Sequence, residues 1–206
     1  KRKFSNGVGT AFNVSENTWI TARHVIEGCN NVYFLDSSDQ EETANEGILK
    51  LVERIFVSQT SDLAVLITNR KTKKDSSFYN FARINNHIKD QVEVGEEGFS
   101  IGFPQGKAGQ AYLRFGGYVK MLQSGVYRLN EPVKMWVELE RIPKSLDQMG
   151  GISGGPIFNK NGSVVGVHVA NSIRRGRAFS VDEYAITWLL RATSKQFSSD
   201  NQILSP

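Results

Sequence analysis

The chain has 206 residues, 39% of them apolar and 22% charged, which is the composition of a globular protein with one large domain or two small ones. It lacks both an apolar run of the roughly 18 residues that span a membrane and a signal-peptide core, and its single cysteine, Cys29, excludes a disulfide-rich secreted fold and is compatible with a bacterial or virus-infected cytoplasm. The net charge is +4, and the basic clusters at Arg70–Lys74 and Arg174–Arg177 are typical of solvated loops or of weak binding to nucleic acid or another acidic ligand.

Short runs that are apolar, or that alternate apolar with polar residues between turn residues, predict an all-β protein. In chain order the predicted strands are Val8–Val14, Thr18–Ala22, Asn31–Leu35, Ile48–Phe56, Ala64–Thr68, Gly98–Gly102, Tyr112–Leu122, Met135–Glu140, Pro156–Asn159, Val164–Val169 and Ala178–Ser180. One helical turn is predicted at Arg23–Gly28, and a longer amphipathic helix at Val181–Gln196. Many short strands and a closing helix indicate β-barrels or a sandwich.

The segment GGISGGP, residues 150–156, surrounds Ser153 with four glycines and a proline. A plain turn needs only one or two glycines at positive φ. A nucleophilic serine needs more, because a substrate carbonyl must approach bare backbone with free N–H groups. From this segment alone, a turn and an active-site loop are equally good interpretations.

A serine hydroxyl becomes a useful nucleophile only beside a base that a third group holds in place. His24 follows the end of a predicted strand, and Asp62 directly precedes the run of apolar residues 63–67. His87 lies in a polar stretch typical of an exposed loop, and His168 lies within an apolar strand. His24 could also cap a helix and Asp62 could close a turn. Their occurrence in the order His, Asp, Ser, each where a strand meets a turn, favours a catalytic triad that requires neither metal nor cofactor.

Four sequence blocks, spread over residues 7–169, carry a family resemblance: GTAFNVSENTWITARHVIEG, TSDLAVLI, GFSIGFPQG and GISGGPIFNKNGSVVGVHV. With them the chain resembles the trypsin-like (chymotrypsin-fold) serine peptidases. The residues in these blocks resemble those of V8-like glutamyl endopeptidases, HtrA-type proteases and viral 3C-like serine proteases more than those of digestive trypsin. The resemblance implies two six-stranded antiparallel β-barrels, at residues 1–85 and 86–206, with a C-terminal helix and the site in the cleft between the barrels.

The resemblance also implies a role for each residue of the triad and a polypeptide substrate. Ser153 is the nucleophile, His24 the general base and then acid, and Asp62 orients the imidazole. The backbone N–H groups of Gly151 and Ser153 form the oxyanion hole. Ile152 departs from the family, since trypsin-like enzymes have Asp there and the bacterial branch usually Asn. Activation as in trypsin, where a new N-terminus pairs with that aspartate, is therefore not expected. Whether the oxyanion hole is formed before substrate binds is a question that the sequence does not answer. The alternatives are a catalytically weak peptide-binding protein of this fold and a protease with added nucleic-acid binding.

Two residues compete to define the pocket for the substrate residue before the scissile bond, P1. His168 matches the histidine that binds a Glu or Gln side chain in glutamyl endopeptidases and 3C-like enzymes, or else it is a core histidine. Asp147 stands six residues before Ser153, the offset of the aspartate that selects Arg or Lys in trypsin. We expect Glu or Gln at P1, and Gln148, which replaces the Ser or Thr that assists glutamate binding, leaves the choice between them open.

The strand after His168 is expected to bind the substrate backbone. The resemblance implies that Val169, Ala170 and Asn171 form the edge with which the substrate pairs as an added strand. The arginines that follow, at residues 174–177, would attract acidic substrates to that side of the cleft.

Overall fold

The computed structural model describes residues 8–34, 50–69, 92–122, 130–144 and 149–203. In chain order the elements are β1 (Phe12–Ser15), β2 (Thr18–Thr21), α1 (Arg23–Ile26), β3 (Tyr33–Phe34), β4 (Lys50–Val57), β5 (Ala64–Thr68), β6 (Glu97–Gly102), β7 (Gly109–Leu122), β8 (Asn130–Ile142), β9 (Pro156–Asn159), β10 (Val164–Ser172), β11 (Arg177–Asp182) and α2 (Glu183–Ile203). Short 3-10 turns lie at Pro104–Gly106 and Ile173–Arg175. All eleven predicted strands and both predicted helices are confirmed. The ends of β5 and β9 are as predicted, the other elements differ at one end or both, and the predicted ends at Leu35 and Ile48 lie outside the described residues.

Six strands of the C-terminal half close into an antiparallel barrel in the order β10-β11-β8-β7-β6-β9. The long hairpin of β7 and β8 forms one wall, and its register runs from Gln110 opposite Ile142 to Leu122 opposite Asn130. This closed barrel confirms one of the two barrels that were expected.

The N-terminal strands form a five-stranded sheet in the order β1-β2-β5-β4-β3, and this sheet does not close within the residues described. The expectation of two closed six-stranded barrels is therefore met only in part. The predicted boundary between residues 85 and 86 lies outside the described residues and stays a prediction. Within the described ranges, no helix is both long and apolar enough to cross a membrane.

The central strand of the N-terminal sheet, β5, explains how the two halves meet. All five of its residues are buried. The strand lies between β2 and β4, and its alternating side chains belong to two different hydrophobic clusters. One hydrophobic cluster contains residues of both halves, among them Val65 and Ile67 from the sheet and Phe158, Val167 and Val181 from the barrel. Because this core is continuous, the loops at the junction are fixed by packing from both sides.

A buried ion pair attaches the C-terminal helix to the barrel. Lys134 of β8 is 1% exposed, and its Nζ donates to the carbonyl of Val165 at 3.0 Å and to the carboxylate of Glu183, the first residue of α2. The rings of Phe115 and Tyr118 lie 5.9 and 6.0 Å from Nζ. The ammonium group is thus fully partnered, as a buried cation must be.

The costs of removing the two partners of this pair should not add. Lys134→Met leaves the Glu183 carboxylate buried and unpaired, which typically costs about 3–5 kcal/mol of the free energy of unfolding. The double variant Lys134→Met with Glu183→Met should lose clearly less than the sum of the two single variants, as measured by urea unfolding. Additive losses would contradict a direct coupling between the two side chains.

Candidate active site

His24 and Asp62 form a doubly hydrogen-bonded pair. His24 lies in α1, the short helix that follows β2, and Asp62 lies in the loop between β4 and β5. The His24 Nδ1 atom is 2.6 Å from Asp62 Oδ2, and the His24 backbone N–H donates to Asp62 Oδ1 at 2.9 Å. Because a carboxylate only accepts, Nδ1 carries the proton and Nε2 keeps its lone pair. The imidazole is 41% exposed while the carboxylate is 3% exposed, so a buried anion orients an accessible base.

The loop that carries Asp62 is held from three directions. The Asp62 carbonyl accepts the Arg23 backbone N–H at 3.2 Å. The Arg23 guanidinium donates to the carbonyl of Ser58 at 2.7 Å. From the opposite side the Asp62 N–H donates to Oε1 of Glu131, on barrel strand β8, at 2.9 Å. These bonds fix the backbone of Asp62, while the bonds to His24 fix its side chain.

The turn that carries Ser153 packs against the chain that leads into α1. The Ser153 carbonyl accepts the Thr10 N–H at 2.9 Å, and the Gly154 N–H donates to the carbonyl of His168 at 2.7 Å. Gly154 has φ +90°, and a Cβ at this position would lie 2.0 Å from the Thr10 oxygen and 3.0 Å from the nitrogen of Ala22. Only glycine fits there, and this contact brings the half-buried Ser153 beside the segment of His24. The Ser153 hydroxyl has no hydrogen bond among the described residues.

The peptide bond between Gly150 and Gly151 has a defined orientation. The Gly150 carbonyl accepts the N–H of Gln105 at 2.6 Å, so the N–H of Gly151 points the opposite way, as in any trans peptide. The Gly151 carbonyl accepts the Thr10 hydroxyl at 2.7 Å. Gly151 has φ +104°, and a Cβ there would lie 2.5 Å from the carbonyl of Phe103. Within the described ranges the N–H groups of Gly151 and Ser153 have no hydrogen-bond partner.

Ile152, the departure from the family, is buried in the barrel core. Its side chain is 0% exposed and belongs to the cluster that contains Met149, Trp136 and Ile157. Its N–H donates to the Met149 carbonyl at 3.1 Å, and its carbonyl accepts the Gly155 N–H at 2.9 Å. The side chain cannot hydrogen-bond the loop, but its burial fixes the loop to the barrel beneath Ser153.

His168 is wholly buried, and both of its ring nitrogens are occupied. Nδ1 lies 3.1 Å from the Ser100 hydroxyl oxygen, and Nε2 lies 2.9 Å from Oδ1 of Asn171. Since an amide oxygen only accepts, Nε2 carries the proton and Nδ1 accepts from Ser100. Burial, and secondarily the nearby His24, lowers the pKa of His168 to about 4, with the Asn171 bond acting against the shift. The ring is therefore neutral and presents a single N–H.

The remaining predicted residues are placed as follows. Val169 is buried, and Ala170 and Asn171 are half-buried on β10, beside an irregularity in its pairing with β11. Asp147, Gln148, His87 and the cluster Arg70–Lys74 lie outside the described residues. Arg174 and Arg175 are exposed. No group of three or more His, Cys, Asp or Glu side chains suited to a metal ion occurs in the described part of the chain.

The sequence pattern missed four residues that shape the site: Thr10, Ser100, Gln105 and Glu131. Thr10 and Ser100 lie in predicted strands, where a hydroxyl gives no sign of its partner. Gln105 has φ 53°, the only positive φ among described residues other than glycine, and a flanking glycine was its only signal. Glu131 fell outside every predicted element.

Comparisons with known proteins agree with this geometry. The family model of the trypsin-like peptidase domain matches residues 9–167. A curated relative, the serine protease Do-like HtrB of Bacillus subtilis (strain 168), is 30% identical over 155 residues, 72% of this chain. This match spans only 29% of that relative's own length.

Solved structures share the fold. The Rv3671c protease from M. tuberculosis in its active form has a TM-score of 0.66 at 19% identity, with 89% of this chain and 72% of that chain covered. The HtrA-type protease AlgW with a decapeptide has a TM-score of 0.62 at 18% identity, with 89% of this chain and 50% of that chain covered. These similarities show that the chain has a chymotrypsin-like fold, and at under 25% identity they show the fold alone.

The neutral His168 predicts loss of stability in acid. Its pKa is about 4 in the folded protein against an ordinary value of 6.5, so the folded state binds fewer protons between these values. The contribution is fully present above about pH 6.5 and is lost as the pH falls toward about 4, on the order of 3 kcal/mol in all. The raised pKa of Glu131 gives an opposite slope over much of this range in every variant, so the measure is a difference between variants. The free energy of unfolding in urea, taken as parent minus His168→Gln, should rise with pH by this amount, and the difference between His24→Gln and His24→Gln with His168→Gln should rise equally. A His168→Gln variant with the same pH dependence as the parent would contradict this assignment.

Proposed function

The chain belongs to the trypsin-like peptidase family, a family of serine endopeptidases, and from this premise we propose that Ser153, His24 and Asp62 hydrolyse peptide bonds. The observation that carries the proposal is the His24–Asp62 pair, in which two hydrogen bonds leave Nε2 of an accessible imidazole free. The Ser153 turn packs against the same segment through Gly154.

The reaction proceeds in two displacements. His24 Nε2 takes the proton of the Ser153 hydroxyl as Oγ bonds to the substrate carbonyl carbon, whose oxygen becomes an oxyanion. The imidazolium, stabilised by Asp62, then protonates the leaving amine, and the C–N bond breaks to give an acyl-enzyme. Water, deprotonated by His24, releases the acid product and restores the serine. No cofactor enters any step.

The N–H groups of Gly151 and Ser153 stabilise the oxyanion. Each such donor is worth about 3 kcal/mol of transition-state stabilisation. Two hydrogen bonds support the proposal that these N–H groups are correctly oriented before substrate binds. Gln105 donates to the Gly150 carbonyl, and Thr10 donates to the Gly151 carbonyl. The buried Ile152 acts as an apolar anchor for the same loop. These supports favour an active enzyme over a catalytically weak peptide-binding protein.

For the P1 residue we propose Glu or Gln, bound by His168. The ring offers one N–H at Nε2, which Asn171 now accepts. A carboxylate or amide oxygen of the substrate is an acceptor of the same kind, so it would replace the Asn171 oxygen once that side chain turned away. The Ser100 bond to Nδ1 would keep the proton on Nε2 while this exchange took place.

Labelling with a fluorophosphonate tests the nucleophile. The parent protein should be labelled at one residue, Ser153, because only a serine activated by a base attacks such a reagent. Ser153→Ala should abolish labelling, whereas Ser163→Ala, a half-buried serine of the same region, should leave it intact. Absence of labelling in the native parent protein, or equal labelling of Ser153→Ala, would overturn the enzyme assignment.

Cleavage of a peptide library tests the P1 preference separately. We expect cuts after Glu or Gln, a rise in KM for these substrates in His168→Ala, and little change in Asp147→Asn. Cuts only after Arg or Lys that vanish in Asp147→Asn would overturn the role of His168 and leave the triad untouched.

A further inference from the structure

Glu131 connects the C-terminal barrel to the catalytic loop of the N-terminal sheet. It lies on β8, opposite Met121 of β7, and is only 5% exposed. Its Oε1 accepts the backbone N–H of Asp62 at 2.9 Å, across 69 residues of sequence, and its carboxyl group also hydrogen-bonds the Ser61 side chain. A buried carboxylate that reaches the backbone of the triad aspartate has no part in the mechanism described above.

The surroundings of Glu131 are acidic. Asp62 faces it from the β4–β5 loop and Asp182 from the end of β11. Asp182 itself accepts the N–H of Ala185 at the start of α2. Two buried cations of the described residues have other partners: Lys134 of the same strand binds Glu183, and Arg23 of α1 binds the Ser58 carbonyl. Burial is the main cause that raises the pKa of Glu131 to about 7, and its two acidic neighbours add to it.

We propose that Glu131 is a positioning residue for the triad, which holds the backbone of Asp62 in place and adds a second negative charge behind the Asp62–His24 pair. As a statement about catalysis this rests on the proposed function. The transition state carries an imidazolium at His24, and a carboxylate behind Asp62 stabilises that cation through a low-dielectric interior. When Glu131 is protonated, this contribution disappears while its hydrogen bond to Asp62 can persist.

The pH dependence distinguishes this role from a merely structural one. In the parent enzyme, protonation of the base His24 should abolish kcat/KM, whereas protonation of Glu131 should only lower it. The acid limb of its logarithmic plot should therefore extend over a wider pH range than a single protonation would give. Glu131→Gln keeps an oxygen that accepts the Asp62 N–H but removes the charge. We expect its limb to follow a single protonation and to lie at lower pH, with kcat about 3- to 10-fold below the parent at alkaline pH and KM unchanged.

The matched control is Glu140→Gln, on the same strand. Glu140 is 47% exposed and pairs with Lys144, so this variant removes the same charge at a distance from the site. Its pH profile should equal that of the parent. Glu131→Ala, which removes the hydrogen bond as well, should lose more kcat than Glu131→Gln, and its folding is checked by thermal unfolding.

A measurement without catalysis separates the two proposals. In a Ser153→Ala background, NMR of the His24 ring should show its titration moving to lower pH by about one unit in Glu131→Gln and staying in place in Glu140→Gln. If this shift occurred but the protein that retains Ser153 had no peptidase activity, the coupling of Glu131 to His24 would be supported and the proposed function would be wrong. Activity with identical pH profiles and identical ring titrations in parent and Glu131→Gln would overturn the role of Glu131.

Discussion

The candidate site depends above all on Thr10, which connects the N-terminal half to the loop that carries Ser153, the proposed nucleophile. Its hydroxyl donates to the Gly151 carbonyl and accepts the N–H of Phe103, at 2.7 and 2.9 Å. Its own N–H and carbonyl bind the Ser153 carbonyl and the Thr21 hydroxyl. One buried residue thus fixes both segments that set the direction of the Gly151 N–H. Losing its hydroxyl would leave a buried carbonyl and a buried N–H without partners, which makes the arrangement sensitive to a single side chain.

The Ser153 loop is anchored from below by apolar burial of Ile152. A charge pair in this place would depend on pH and on the partner that supplies the opposite charge. Burial of Ile152 among Met149, Trp136 and Ile157 depends on neither. The loop is therefore shaped by the same packing that closes the barrel, and its geometry and the stability of the fold are coupled.

Much of this fold could be predicted from the sequence because most strands bury apolar residues between turn residues. The early start of β8 could not, since its first residues include Glu131 and Lys134, and charged residues normally signal a loop. Both are buried because they find partners far along the chain, in Asp62 and Glu183. The His24–Asp62 pair was predictable because both residues stand at strand ends within family blocks. Contacts of Thr10, Ser100 and Glu131 span 68 to 141 residues, and no local pattern encodes such pairings.

The two described histidines show how environment assigns different chemistry to one side chain. His24 is accessible and backed by a carboxylate, which suits a group that must gain and lose a proton. His168 is enclosed between a hydroxyl and an amide, neither of which stabilises a cation as a carboxylate does. Burial, with a smaller contribution from a positive charge on His24, lowers the pKa of His168 to about 4. In the proposed mechanism, His168 therefore stays neutral when His24 takes up a proton, and it keeps its single N–H for a hydrogen-bond acceptor. The proton needed for the reaction and the donor proposed for substrate recognition thus remain on separate rings throughout the cycle.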